Sequence, residues 1–225
     1  MFYLLIPIML VSWLIQWRLR SKFKQYSQVN LHSGLSGAQI AEMMLADHGI
    51  TDVRVISTDG QLTDHYNPTD KTVNLSEGVY AERTAAAAAI ASHECGHAVQ
   101  HATAYSMLKF RSFMVPALSA VSTWMPWILL AGVFMINRSV IPLGVGIVLF
   151  SLTTLFSFIT LPVEFDASRR ALAWIDKRGV VTTQEHGMAK DALWWAAMTY
   201  VVAAISSLAT LLYYVMIFMG GSRRN

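Results

Sequence analysis

The sequence predicts a mainly α-helical integral membrane protein, with four transmembrane helices and a small α+β domain on the cytoplasmic side. Three observations carry that expectation. Of the 225 residues, 54% are apolar and only 14% charged, well short of the roughly 25% charged that a soluble globular domain carries, and the mean hydropathy is +0.42. The apolar residues gather in four runs. Two polar segments, 18–114 and 163–192, separate those runs and are long enough to fold. The net charge is only +3, and the basic residues sit beside apolar runs instead of forming a stripe with interleaved aromatics, so nucleic acid is not an expected partner. A single cysteine, Cys95, excludes an intramolecular disulfide and makes no demand for an oxidising compartment.

The first run, 1–17, is short but ends in Trp13 and Trp17 and is followed by RLRSKFK. It has neither a basic leading region nor a small-residue cleavage site, which predicts a retained signal-anchor helix with the amino terminus outside. The runs at 115–136, 140–162 and 193–219 each reach the length of about 20 residues that spans a hydrocarbon core as a helix. With the amino terminus outside, the inner connections hold nine and five Lys and Arg, against one in the 137–139 turn and two in the tail. Basic residues favour the cytoplasmic side, so the chain is expected to be a multi-pass protein of the cell membrane with both polar segments in the cytoplasm. Ala196, Ala197, Ala203 and Ala204 are suited to pack a partner helix, within the chain or in a homo-oligomer.

Within 18–114, Ser36 is placed to cap a short amphipathic helix through Ile40, Met43, Met44 and Leu45 that ends at Gly49. DVRVIST alternates like a strand, and two β-prone runs flank the turn signal NPTD, predicting a small sheet with a hairpin. KTVNL in that hairpin is either an edge strand that could pair with an extended substrate or an ordinary strand of the sheet. From about residue 80 the chain is alanine-rich and reads as one long helix carrying AIASHECGHAVQH. Because Glu94 and three histidines would be costly in lipid, that helix is expected to be soluble or to graze the membrane surface, ahead of the alternative of an intramembrane location.

His93, Glu94 and His97 form the pattern HExxH. A spacing of four puts both imidazoles on one helix face a turn apart, where they can take two corners of a zinc tetrahedron, and Glu94, about 100° round, can act as general base on a water there. Chance produces the pattern in about one chain in a hundred of this composition. Cys95 points away from that face, and Gly96 suggests the close approach of another backbone or of a substrate. His101, two turns beyond His93, lies about 12 Å along the axis and is too far to share the metal. A catalytic zinc takes a third protein ligand, and the next acid along the chain is Glu164, where the third apolar run ends. Asp166 is expected to orient a histidine or to pair with Arg169 or Arg170. His186, Tyr80 and Arg170 are open candidates for an oxyanion donor.

Three separated blocks, LTDHYNPTDKTVNLSEGVY, ASHECGHAVQH and LPVEFDASRRAL, resemble the signature of the YugP-type membrane zinc metallopeptidases, a neutral zinc metallopeptidase family, over nearly the whole chain. More distantly, HExxH followed by EFDAS is similar to the HtpX and CAAX-prenyl protease group, with Ser168 where that group has an aspartate. The resemblance implies a zincin-like cytoplasmic domain of gluzincin type, one Zn2+ per chain held by His93, His97 and Glu164, and Glu94 as the catalytic base. The implied activity is a zinc-dependent endopeptidase that cuts peptides or proteins, membrane proteins above all, near the cytoplasmic surface. Two alternatives stand beside it. A site-2-type intramembrane protease would need an LDG-like ligand segment, which the sequence lacks; a non-enzymatic metal-binding scaffold would leave Glu94 without a role.

Overall fold

The computed structural model describes residues 2–222. The chain is mainly helical, with eight helices and three short strands among the described residues, and it divides into two compact units.

One unit is formed by 1–13, 109–161 and 200–225. It holds the start of α1 (Phe2–Tyr26), most of α5 (Ser106–Ser122), α6 (Met125–Met135), the first part of α7 (Ile141–Lys177) and the last part of α8 (Thr183–Ser222). Met125, Leu129 and Leu143 form its small core, flanked by Phe150, Tyr214 and Phe218. The helices meet closely where side chains are absent. A methyl group on Gly132 would lie 2.6 Å from the Leu143 Cα, and Thr154 and Ser207 hydrogen-bond across α7 and α8 at 2.8 Å.

By length and composition α7 and α8 can each cross a membrane, and α5 with α6 can make a third crossing as a bent pair. The 115–136 run, expected as one transmembrane helix, is broken between α5 and α6, which are bent by 54°. The cause is local: Pro126 stands in the first turn of α6, where its ring and missing N–H prevent α5 from running on. Helix α1 runs without interruption through the expected basic collar to Tyr26, so Arg18, Arg20, Lys22 and Lys24 occupy its second half.

The other unit comprises 14–108 and 162–199. Its core gathers Ile40, Met44, Val73, Leu75 and Val79 with the alanines of the HExxH helix and with Ala171 and Ile175 of α7. Helix α2 (Gly37–Asp47) starts on a full capping box, Ser36 accepting from the Gln39 amide and the Gln39 side chain accepting from Ser36 N–H. That satisfies two backbone donors that a helix start leaves open. Helix α2 ends before Gly49, which supplies the positive φ of +68°.

Strands β1 (Arg54–Thr58), β2 (His65–Asn67) and β3 (Thr72–Ser76) form a sheet in the order β1-β3-β2. The β2–β3 hairpin is antiparallel and β1 pairs with β3 in parallel. KTVNL is therefore a central strand, buried along β3, and its backbone is already paired on both sides. The edge nearest the HExxH helix belongs to β2. The alanine-rich helix also begins later than expected: a short α3 (Glu77–Ala81) comes first, and α4 (Ala85–Ala102) starts at Thr84, whose hydroxyl accepts from the Ala87 amide.

Candidate metal centre

Helix α4 can lie deep in its unit because its first turns are almost bare of side chain. Ala85 to Ala89 and Ala91 are all buried, and alanine is the strongest helix former. Gly96 lies under α7, where an added methyl would sit 2.6 Å from the carbonyl oxygen of Ala167. That is the close backbone approach its sequence position suggested, and it brings the α7 turn carrying Glu164 against the HExxH face.

His93, His97 and Glu164 converge there. The His93 and His97 Nε2 atoms lie 3.4 and 3.6 Å from Oε2 of Glu164, and one ligand atom from each of the three residues falls within 4.8 Å of the others. Corners of a tetrahedron with metal–ligand bonds of about 2 Å are about 3.3 Å apart, so the spacing suits a zinc ion. The imidazoles stand edge to face, with ring centroids 4.8 Å apart. Glu164 is only 2% exposed. For His97, burial alone would lower the imidazole pKa, but hydrogen bonding and charge from Glu164, with Glu94 behind, more than offset it and raise the value above the usual histidine range.

Each imidazole is gripped from behind. Ser168 Oγ lies 3.1 Å from Nδ1 of His93, and Gln100 Oε1 lies 3.0 Å from Nδ1 of His97. Such contacts fix ring orientation. Gln100 is fully buried and also donates to Val163 O at 2.8 Å and to Asp166 Oδ2 at 3.0 Å. Asp166 pairs with both Arg169 and Arg170, as expected, and reaches His97 through Gln100. The Asp166 pairing engages Arg170, whose guanidinium also lies over the Tyr105 ring.

Glu94 is buried, and its Oε2 accepts from the Tyr66 amide of β2 at 3.0 Å. Neither Tyr66 nor Gln100 stood out in the sequence. Tyr66 acts through its backbone, which carries no residue-specific signal, and Gln100 is visible only as the residue three after His97. His101 lies apart from the triad, with its Nδ1 2.7 Å from the Tyr66 hydroxyl. Cys95 is buried, with Sγ 3.5 Å from Ala41 O, and burial pushes its thiol well above the usual range.

Two imidazoles on one helical turn and a buried glutamate from a later helix could hold a metal ion, and a second glutamate next to the first imidazole in sequence is the pattern a zinc metallopeptidase uses. The comparison with known proteins agrees: the chain belongs to the family described as "Putative neutral zinc metallopeptidase", whose model matches residues 1–219. It is 41% identical over 223 residues to the "Putative membrane protease YugP" of Bacillus subtilis (strain 168), covering 99% of this chain and 98% of that one. No solved structure matches the chain.

Proposed function

We propose that the protein is a membrane-embedded zinc endopeptidase of the gluzincin type, with His93, His97 and Glu164 as metal ligands and Glu94 as the general base. The observation that carries this reading is the convergence of the three ligand side chains, 67 residues apart in sequence between His97 and Glu164, beside the buried carboxylate of Glu94. Zinc, when bound, supplies a Lewis acid that polarises a scissile carbonyl and acidifies water. Glu94 takes a proton from the attacking water and delivers it to the leaving amine. The Tyr66 amide holds Glu94 Oε2 and so fixes the orientation of that carboxylate.

The substrates are proteins or peptides at the membrane, cut near its cytoplasmic face. Glu164 follows the 140–162 apolar run by two residues, which ties the ligand to the end of a membrane helix. The distribution of basic residues supports four spans, made by the apolar part of α1, the α5–α6 pair, α7 and α8, with the site on the cytoplasmic side. Ser168, in contact with His93, also lines a cleft of about 430 Å³ walled by Phe165, Leu172, Leu193 and Trp194, an apolar recess suited to a substrate side chain.

The purified full-length protein in detergent tests this with zinc and an unfolded protein substrate. Glu94→Gln is expected to keep its zinc and lose activity by roughly 10²–10⁴-fold, the usual contribution of a general base. Cleavage at the wild-type rate would remove Glu94 from the mechanism.

A further inference from the structure

We propose that Gln100 is a positioning residue that dictates which nitrogen of His97 faces the metal, taking its direction from a peptide carbonyl on α7. This rests on the metal reading above and names a residue that reading does not require. Gln100 is fully buried, so no water competes for its amide. Its two ends have different partners. On one side are Val163 O at 2.8 Å and Asp166 Oδ2 at 3.0 Å; on the other is His97 Nδ1 at 3.0 Å.

The chemistry of those partners leaves one arrangement. A peptide carbonyl only accepts, and both Asp166 oxygens already accept from Arg169 and Arg170, so Asp166 meets Gln100 as an acceptor as well. The Gln100 NH2 group must therefore face α7, with both hydrogens used. Its oxygen then faces His97, and an amide oxygen only accepts. Nδ1 of His97 must carry a hydrogen and donate it. In the neutral ring Nε2 is left bare, and Nε2 is the atom 3.6 Å from Glu164. Reversing the amide would set its oxygen against Val163 O and Asp166 Oδ2 and leave buried groups unpaired.

Val163 adjoins Glu164, so the bond that orients His97 also ties down the α7 backbone beside the third ligand. One side chain thereby couples the two halves of the donor set. His93 has no comparable lock. Its neighbour Ser168 presents a hydroxyl, which can donate or accept and so selects no tautomer.

The test uses the full-length protein in detergent. Zinc affinity is measured by competition with a chromophoric chelator, and ligand geometry by the absorption spectrum of the cobalt-substituted protein. Gln100→Leu is expected to weaken zinc binding by roughly 10–100-fold, the usual effect of losing a histidine's outer partner, and to change the cobalt spectrum. Gln100→Glu keeps an acceptor for His97 but sets a second carboxylate against Asp166, and is expected to weaken binding too. Adding Asp166→Asn to Gln100→Glu restores a donor between the two helices and should recover affinity beyond Gln100→Glu alone, which a merely space-filling role would not produce.

Wild-type affinity and spectrum in Gln100→Leu, or in Gln100→Glu, would overturn the proposal. So would a double variant no better than Gln100→Glu, the comparison that decides if Gln100→Leu does not fold. Glu164→Gln and His93→Ala are the controls. If they too keep full zinc affinity, the metal reading itself fails; if they lose it while Gln100→Leu does not, only the role of Gln100 falls.

Discussion

Helix α7 contains two regimes, and comparing its halves explains most of the molecule. Residues 141–161 belong to one unit and carry no charged side chain; there Ile141 is 71% and Val148 63% exposed. Residues 162–177 belong to the other, where Val163, Ala167, Ala171 and Ile175 are buried and Glu164 and Asp166 are buried with them. In the first half Ile141, Val145, Val148, Leu152 and Leu155 face outward, which fits a hydrocarbon surrounding. In the second, Val163, Ala167, Ala171 and Ile175 face inward, and the buried polar groups are matched by partners, as burial from water requires.

Truncating an apolar side chain in each unit should have very unequal effects. Leu75→Ala, in the core of the site-bearing unit, is expected to cost about 2–5 kcal/mol, read as a large fall in the thermal midpoint and in bound zinc. Phe134→Ala, in the other unit at 79% exposure, should move stability in detergent by less than about 0.5 kcal/mol. Equal losses would mean that the outward apolar face is covered by protein.

A charge on that face sharpens the distinction. Val148→Arg is expected to cost about 2.5–3.5 kcal/mol on insertion into a bilayer, so that less protein resists alkaline extraction from membranes. Unchanged membrane retention would place Val148 in water. A smaller effect is expected where α4 meets α7. Gly96→Ala puts a methyl 2.6 Å from the Ala167 carbonyl, and overpacking of this kind costs about 1–3 kcal/mol. Its melting temperature should fall and its zinc affinity with it, because the two ligand-bearing helices must part.

What was legible in the sequence follows the same division. Hydropathy exposes the outward-facing runs because nothing but length and apolarity is asked of them. It also hid the break between α5 and α6, since Pro126 sits inside an apolar stretch that looks continuous when only hydropathy is summed. HExxH was legible because its geometry is local, one helical turn. Glu164 could be nominated because acids are absent from the intervening spans. Strand order was not: alternation marks KTVNL as a strand, yet it says nothing of which neighbours pair with it, so β3 proved central and not an edge. Gln100 and the Tyr66 amide were hidden for a related reason. Their importance comes from what lies across from them, and neither a glutamine nor a backbone N–H advertises that in one dimension.

The central claim is that α7 completes a metal site begun on α4, and bound zinc in Glu164→Gln tests it most directly. Purified in detergent and dialysed against a weak chelator, the wild-type chain should retain about one zinc, the count for a single three-ligand site. Glu164→Gln should retain far less while its helical content and thermal midpoint show it folded. A folded Glu164→Gln variant that keeps its zinc at wild-type affinity would contradict the account.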